Sequence, residues 1–294
     1  MKKLLLIAII LLGNSYFLRA QEDDLMDMFG EDEVVDYTTA TFKTTRLALG
    51  FSVENPAKHD MIFIISHHFG NINGGAYEFF GLDQATMRLG FEYGITDRLT
   101  AGIGRSTFNK TYDGYLKYKA LRQSKGAKKM PITLNLVGGM YINTLKWQEP
   151  ERKNYFSSRL TYMFQALVSR KFNKRLSLQL MPTMVHKNFT ATSADKNDIY
   201  SIGGGGRYKF TNRSSINIEY YYVLPNQIDS YEYTNSLTIG FDIETGGHVF
   251  QLFFTNSVPI NVPDFITLTN NKWSAGDIYF GFNIARVFTL GKKH

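Results

Sequence analysis

Apolar residues occupy every second position in a series of segments of about ten residues along this chain. Successive side chains of a β-strand point to opposite faces, so a period of two predicts strands with one apolar and one polar face. Between residues 159 and 169, for example, one face carries Tyr162 and Phe164, and the other carries Met163 and Gln165. The clearest segments are 86–95, 132–143, 159–169, 215–224, 236–244 and 277–288.

The connections between these segments alternate between very short and long. Polar turns at 96–98, 173–175, 211–213 and 245–247 alternate with loops of about ten to seventeen residues. This pattern is typical of an antiparallel barrel in a bacterial outer membrane, with short turns in the periplasm and long loops outside. A soluble sandwich also alternates, but these segments exceed the ~5–6 residues usual for soluble strands. Phenylalanine (23) and tyrosine (18) are also common, and they concentrate on the apolar face.

The count of strands supports a closed barrel. Twelve strands are predicted, an even number that returns the chain to the side of the membrane where it began. Pro182 lies inside one of them and is expected to mark a bulge, because proline cannot donate to the strand ladder. We predict an all-β fold, a closed antiparallel transmembrane β-barrel of about 12 strands over residues 59–290, with short periplasmic turns and longer extracellular loops. The predicted strands lie near 60–68, 85–95, 99–107, 112–121, 132–144, 158–172, 176–187, 200–210, 215–224, 235–245, 248–258 and 276–288.

The first twenty residues have the features of an export signal. Lys2 and Lys3 precede nine unbroken apolar residues at 4–12, and the segment ends in a small residue, Ala20. An apolar run of this length cannot cross a bilayer as a helix, which needs about 20 residues. We predict that residues 1–20 are a cleaved signal peptide and that the protein resides in the bacterial outer membrane.

An acidic arm is predicted between the signal and the barrel, at residues 21–58. Positions 22–36 hold eight acidic residues and no basic one, although the net charge of the whole chain is +7. Asn55 and Pro56 separate the arm from the first strand. The arm is expected to lie in the periplasm or to insert into the barrel lumen.

Composition removes several classes of function. The chain has no cysteine, which excludes disulfide bridges, thiol catalysis and sulfur-ligated metal sites. Ser66, His67 and His68 adjoin on the first strand, but no acid is placed by the sequence to orient a histidine, and both rings are interpreted as strand-end residues at the membrane interface. The positive charges are scattered over turns and loops, which does not favour nucleic acid. We predict no catalytic residue, no metal and no cofactor.

Charged residues of both signs occur on the predicted inner face of the strands. Burying them unpaired would cost several kcal/mol each, so cations such as Lys117 and Arg207 are expected to pair with acids such as Glu92 and Asp242. The lumen would then be plugged or narrow. Four consecutive glycines at 203–206 are expected to let a bulky group pack against the backbone or to bend the strand. The lumen candidates are Arg88, Glu92, Lys117, Lys119, Arg159, Arg207, Lys209, Glu219, Asp242 and Glu244.

Four stretches resemble a family of exported barrels from Gram-negative bacteria that is labelled only as a domain of unknown function. They read FGxINGGAY at 69–77, GLDQATMRLG at 81–90, TYDGYLKYK at 111–119 and GFDIETGGH at 240–248. The resemblance covers most of residues 36–290 and implies the fold and the outer-membrane location. It implies no activity and no catalytic residue.

Two classes of function follow, and a barrel hydrolase ranks third. The first is a non-enzymatic outer-membrane barrel that forms a narrow channel or transporter for a small solute. An apolar lip in the first outer loop, formed by Tyr77, Phe79, Phe80 and Leu82, favours a hydrophobic solute. The alternative is a structural or partner-binding barrel with a plugged lumen, whose acidic arm docks a periplasmic protein. Other expected partners are outer-membrane lipid, lipopolysaccharide and the barrel-insertion machinery, for which Phe288 is the expected signal.

Overall fold

The computed structural model describes residues 34–147 and 149–291. The predicted signal at 1–20, and seven of the eight acids at 22–36, lie outside the described residues. Within the described ranges, no helix is both long enough and apolar enough to cross a membrane. The barrel lies in the compact unit that begins at Asp36.

The described chain is built mainly of β-strands, and all but β1 and β6 belong to one closed antiparallel barrel. Each barrel strand pairs with the next barrel strand along the chain, and β14 closes the ring against β2, with Ile284 opposite Ile65. The short β1 and β6 form a separate two-stranded sheet. The prediction of a closed barrel of about 12 antiparallel strands is confirmed. The strands are β1 (Val35–Tyr37), β2 (Asp60–Asn71), β3 (Ala85–Gly94), β4 (Leu99–Ser106), β5 (Tyr112–Leu121), β6 (Ser124–Gly126), β7 (Thr133–Ile142), β8 (Leu160–Lys171), β9 (Leu176–Lys187), β10 (Asp198–Lys209), β11 (Ser214–Val223), β12 (Ser236–Thr245), β13 (His248–Thr255) and β14 (Tyr279–Thr289).

The two faces of the strands differ as the alternation predicts. On β8, Phe164 is 58% exposed on the outside of the barrel, whereas its neighbour Gln165 is 3% exposed and points inward. The same contrast separates Ile218 from Glu219 on β11. A belt of exposed apolar side chains therefore surrounds the barrel, as lipid contact requires.

The two ends of the barrel differ in the length of their connections. At one end, called the turn end below, short turns join β3 to β4, β8 to β9, β10 to β11 and β12 to β13. At the opposite end, the loop end, the connections carry short helices. These are the 3₁₀ helices Ile72–Gly81, Phe108–Lys110, Phe156–Arg159 and Trp273–Ala275, and the α-helix α1 (Val262–Thr267).

Pro182 does not mark a bulge, so that expectation was wrong. On one side, Pro182 lies opposite Ile202 of β10 in an unbroken register. On the other side, the pairing of β8 with β9 pauses between Gln165 and Val168 and then resumes in the same register. The missing N–H of proline removes contacts to β8 without inserting an extra residue.

Residues 41–53 fold as a hairpin inside the barrel, and we call this segment the plug hairpin. Its two arms pair at Arg46 and Phe51, and Leu47 N donates to Gly50 O across the turn (2.9 Å). Within this segment, Lys43 is the single residue that is not buried. The hairpin enters and leaves the barrel at the turn end, where the Lys43 side chain contacts the backbone carbonyl of Asn212 in the β10–β11 turn.

The interior of the barrel is not filled mainly by paired charges, contrary to expectation. An apolar cluster forms where the plug hairpin (Leu47 and Phe51) meets the barrel wall and α1 (Phe265 and Ile266). Each fully buried side chain of this size contributes about 1.5–3 kcal/mol, so the cluster fixes the hairpin and α1 in place. Its wall members are Tyr115, Val137, Tyr141, Met163, Leu167, Met181, Val185, Ile199, Tyr221, Val223 and Phe253.

Candidate functional site

The tip of the plug hairpin is held by Glu219, an inward-facing residue of β11. Its carboxylate accepts hydrogen bonds from the backbone N–H of Leu49 and from that of Gly50, the latter at 3.2 and 3.1 Å from the two oxygens. Glu219 therefore binds two consecutive backbone N–H groups at the tip.

Neutral amide side chains hold the rest of the hairpin backbone. Gln179 on β9 uses both ends of its amide, because Oε1 accepts from Val53 N (3.0 Å) and Nε2 donates to Phe51 O (2.7 Å). Asn135 on β7 donates to Val53 O (2.9 Å).

Two more amides reach the other arm of the hairpin. Gln251 on β13 donates to Leu47 O (3.0 Å), and Asn283 on β14 donates to Ala48 O (2.7 Å). Together with Glu219, these side chains satisfy backbone groups that would otherwise be buried without partners. We call Asn135, Gln179, Glu219, Gln251 and Asn283 the polar girdle.

A buried cation of the hairpin pairs with an acid of the wall. The Arg46 guanidinium lies 3.6 Å from the Glu92 carboxylate, donates to the Tyr115 hydroxyl (3.2 Å) and lies over the Phe51 ring at 4.1 Å. Tyr115 in turn donates to Glu92. Because Arg46 and Glu92 are both buried, withdrawing the hairpin would leave Glu92 without its cation.

The base of the hairpin is held by charged residues at the turn end. Lys43 forms an ion pair with Glu244, Arg207 donates to the backbone carbonyl of Ala40 (2.9 Å), and Lys117 donates to that of Glu54.

These contacts correct the expected pairing of lumen charges. Lys117 and Arg207 bind backbone carbonyls of the segment next to the hairpin, and Glu92 binds Arg46 of the hairpin, so the partners are not one another. Asp242 accepts from Ser215 (3.1 Å) and Gln251 (3.0 Å). The expected pairs were drawn from charges on the strands alone, whereas residues 41–53 supply partners of their own.

The other predicted residues lie at different levels of the barrel. Arg88 pairs within the wall with Asp113 on β5, a residue absent from the predicted set, through Nε to Oδ1 at 2.9 Å. Lys119 and Lys209 lie half-buried near the turn end. Arg159 lies at the loop end, where it donates to the backbone carbonyls of Asn143 and Leu145 at 2.8 and 2.6 Å.

The two adjacent histidines do not share an environment at the membrane interface. His67 lies on the outer face, with its ring stacked on Phe282. His68 is fully buried on the inner face, where Nδ1 lies 3.1 Å from the backbone carbonyl of Val258. The interface interpretation was therefore wrong for His68, which contacts the loop between β13 and β14.

Two glycines allow the hairpin to approach the wall closely. A Cβ built on Gly205 would lie 2.4 Å from Leu47 Cδ2, and one built on Gly240 would lie 3.4 Å from Ala48 Cβ. The glycine run at 203–206 thus makes room for a bulky side chain in the lumen, and that prediction is confirmed.

The loop end is closed by the segment that carries α1. Ile260, Asn261 and Val262 face the hairpin residues Ala48 and Leu49 across a space of about 10 Å³. A space of this volume holds about one water molecule. The hairpin tip and the α1 segment therefore leave room for no more than about one water molecule between them.

A larger cavity, of about 370 Å³, lies beyond this closure at the loop end. Its walls include Tyr141, Lys187, Asp264 and Leu268. We call it the loop-end cavity. The four residues of the predicted lip are exposed, and they lie in or beside the first loop without lining this cavity.

The neutral amides are the functional residues that sequence reasoning missed. Asn135, Gln179, Gln251 and Asn283 all occupy polar positions of the alternating pattern. The predicted inner-face set held charged residues only, although an uncharged amide side chain can also donate to and accept from backbone groups. The alternating pattern already places these four side chains on the inner face. The sequence does not show that their partner is the backbone of the hairpin.

Comparisons with known proteins agree with the barrel. A family model described as a membrane bound beta barrel domain (DUF5777) matches residues 42–288. No curated protein matches the chain.

Among solved structures, the chain is similar to an outer membrane channel from Pseudomonas putida F1, with 13% identity, 84% of this chain and 100% of that chain covered, and a TM-score of 0.49. It is also similar to the NanC porin, with 9% identity, 78% and 98% covered, and a TM-score of 0.48. The KdgM porin shows 8% identity, 79% and 99% coverage, and a TM-score of 0.45. No activity is transferred from these likenesses.

Proposed function

Because the chain belongs to the DUF5777 family of membrane-bound β-barrel domains, we propose that it is a gated outer-membrane channel for a small solute, closed by the plug hairpin. The observation that carries this proposal is the polar girdle. Its side chains bind the hairpin through backbone hydrogen bonds. The proposal assigns no catalytic step to the chain.

The polar girdle is compatible with a hairpin that moves out of the lumen when the channel opens. The buried backbone groups of the hairpin need polar partners while it is seated, and apolar wall residues would supply none in either state. The girdle side chains can instead exchange the hairpin backbone for water when the lumen opens. A wall that is satisfied in both states lowers the free-energy difference between them.

The proposed orientation places the turn end in the periplasm and the loop end outside the cell. The exposed outer belt then contacts membrane lipid, and the loops meet lipopolysaccharide. Thr38 and Thr39, just before the hairpin, bind turn-end residues, since Thr38 N donates to Gln123 O and the Lys171 ammonium donates to Thr39 O. The acidic arm leads directly into the hairpin, so a periplasmic protein that binds the arm would be able to move the hairpin.

A disulfide lock tests the gate directly. The chain has no cysteine, and the 3.4 Å between Ala48 Cβ and a Cβ on Gly240 is close to the ~3.5–4.5 Å of natural disulfides. In a planar bilayer, oxidised Ala48→Cys/Gly240→Cys protein should be silent, and adding a reductant should restore the openings of the unmodified chain. The Ala48→Cys single variant is the control, and its conductance should not change when the reductant is added. Equal conductance before and after reduction would rule out the hairpin as the gate.

The apolar cluster around Leu47 and Phe51 favours a second candidate, a permanently plugged barrel with a structural or partner-binding role. This candidate predicts no conductance in either redox state. It also predicts none when anchors of the hairpin are removed.

A further inference from the structure

The loop-end cavity has the size of a small-molecule site. Its volume of about 370 Å³ falls within the ~300–1,000 Å³ typical of such sites. Tyr141 lines both this cavity and the small space beside the hairpin tip. A molecule in the cavity would therefore lie next to the closed gate, on its loop-end side.

Lys187 brings a cation without an ion-pair partner into this cavity. It is the last residue of β9, on the inward face that also carries Val185. Within the described ranges, no carboxylate lies within ion-pair distance of its ammonium. Arg159, before the neighbouring strand β8, adds a second cation, which is fixed over the Trp147 ring at 3.7 Å.

The remaining walls supply apolar surface. Ile199 comes from β10, Ile228 and Tyr231 come from the loop after β11, and Leu268 follows α1. A ligand that contacts both the cations and the apolar residues of the cavity carries a negative group and an apolar body.

The walls are pre-formed by hydrogen bonds between loops. The Asp195 carboxylate accepts from the backbone N–H of Asp229 (2.8 Å) and Ser230 (2.9 Å), which joins the loop after β9 to the loop after β11. The Tyr231 hydroxyl donates to Thr267 O at the end of α1. Pre-organised walls reduce the entropy lost on binding.

The acids that line the cavity offset its cations only in part. The Asp195 carboxylate already accepts hydrogen bonds from the backbone N–H groups of Asp229 and Ser230, which partly balance its negative charge. Burial raises the pKa of Asp264 to about 6, an effect that Lys187 opposes and Asp113 reinforces.

We propose that the loop-end cavity binds small organic anions with an apolar body, such as an aromatic carboxylate, through Lys187 and Arg159. This inference rests on the proposed channel function, for which it names the class of solute.

Titration calorimetry with the full chain in lipid nanodiscs tests the site without measuring conductance. Phenylacetate is the anionic probe, and 2-phenylacetamide is its neutral counterpart of similar shape. Phenylacetate should bind at least about tenfold more tightly than the amide, since a charge-assisted contact is lost in the amide. Equal affinities for the two probes would overturn the proposal even if no variant folds.

Two variants and a control locate the binding. Lys187→Met keeps the length of the side chain and should weaken phenylacetate binding about tenfold, whereas Lys174→Met in the turn-end connection should have no effect. Asp264→Asn should tighten binding, because it removes a like charge. Unchanged affinity in Lys187→Met protein, or weaker binding in Asp264→Asn protein, would contradict the assignment.

The site and the gate can fail separately. Binding of phenylacetate by a chain that never conducts would refute the channel and keep the site. Conductance controlled by the disulfide lock, without binding of phenylacetate, would refute the site and keep the channel.

Discussion

Removing two members of the polar girdle should open the barrel. Glu219→Ala together with Gln179→Ala deletes the hydrogen bonds to Leu49 N, Gly50 N, Val53 N and Phe51 O. The barrel strands keep their own backbone ladders, because these side chains bind the hairpin and take no part in strand pairing.

The size of the effect follows from the kinds of bond removed. Each of the four bonds contributes about 0.5–1.5 kcal/mol net. The double change therefore weakens the seated hairpin by about 2–6 kcal/mol if the terms add. A shift of that size moves the balance between closed and open barrels by roughly 30-fold or more.

Single-channel recording in a planar bilayer measures this shift as the fraction of time spent open. Gln165→Ala is the matched control, because Gln165 is also a buried lumen glutamine but donates to Thr183 on the wall (2.8 Å) and not to the hairpin. It should leave the open fraction near that of the unmodified chain. Adding the oxidised 48/240 disulfide to the double variant should close the channel again.

The heat-dependent shift in gel migration that a closed barrel shows would confirm that the double variant is folded. A folded double variant that conducts no more than the Gln165→Ala control would refute the reasoning, since the girdle would then not hold a gate.

Phe164→Arg places a cation on the lipid-facing side of β8 and should cost about 2–4 kcal/mol, whereas Leu160→Arg near the strand end should cost about 0–1 kcal/mol. The first variant should lose the heat-dependent gel shift and the second should keep it; equal tolerance would contradict the assigned faces. Gly205→Ala should raise the open fraction, because its Cβ would lie 2.4 Å from a side-chain carbon of the hairpin, while Gly204→Ala meets nothing within 4 Å and should not. Burial alone would raise the pKa of Asp195, but hydrogen bonds from the loop after β11 and from its own loop outweigh burial and hold the pKa well below its usual range. A lowered pKa stabilises the loop contacts above the ordinary aspartate range, and this contribution is lost as the pH falls. Affinity for benzylsulfonate, an anion of similar shape that stays ionised at low pH, should therefore decline below about pH 4. Calorimetry should find a smaller decline in Asp195→Asn protein, and an identical decline would show that another group titrates.

The barrel wall could be predicted from the sequence because its signal is local. Alternation assigns a face to each residue, and turn length assigns the two ends, so the twelve strands and the outward position of Phe164 follow from short windows. Pro182 misled the prediction because the same residue type serves either a bulge or a regular strand with a missing bond. Only the pairing with β8 decides between them.

The contents of the lumen could not be predicted in the same way. Glu219 was identified as an inward acid, but its partners are backbone N–H groups of Leu49 and Gly50, which every non-proline residue carries. Nothing in residue type distinguishes those two positions. Met163 and Met181 lie on the mostly polar inner face, and the structure shows that they form part of the wall against which the interior packs.

The position of the plug hairpin in the chain has a consequence for assembly. The hairpin precedes every barrel strand, yet Glu219 lies 170 residues after Leu49, and Asn283 lies 235 residues after Ala48. Contacts of such long sequence separation form late, because they require the intervening chain to be ordered first. We therefore expect the hairpin to seat only after β14 has closed the ring, so that a newly inserted barrel passes through a permeable stage. Hydrogen exchange during refolding should show the amides of Leu49 and Gly50 gaining protection after those of the strands, in a separate slower phase.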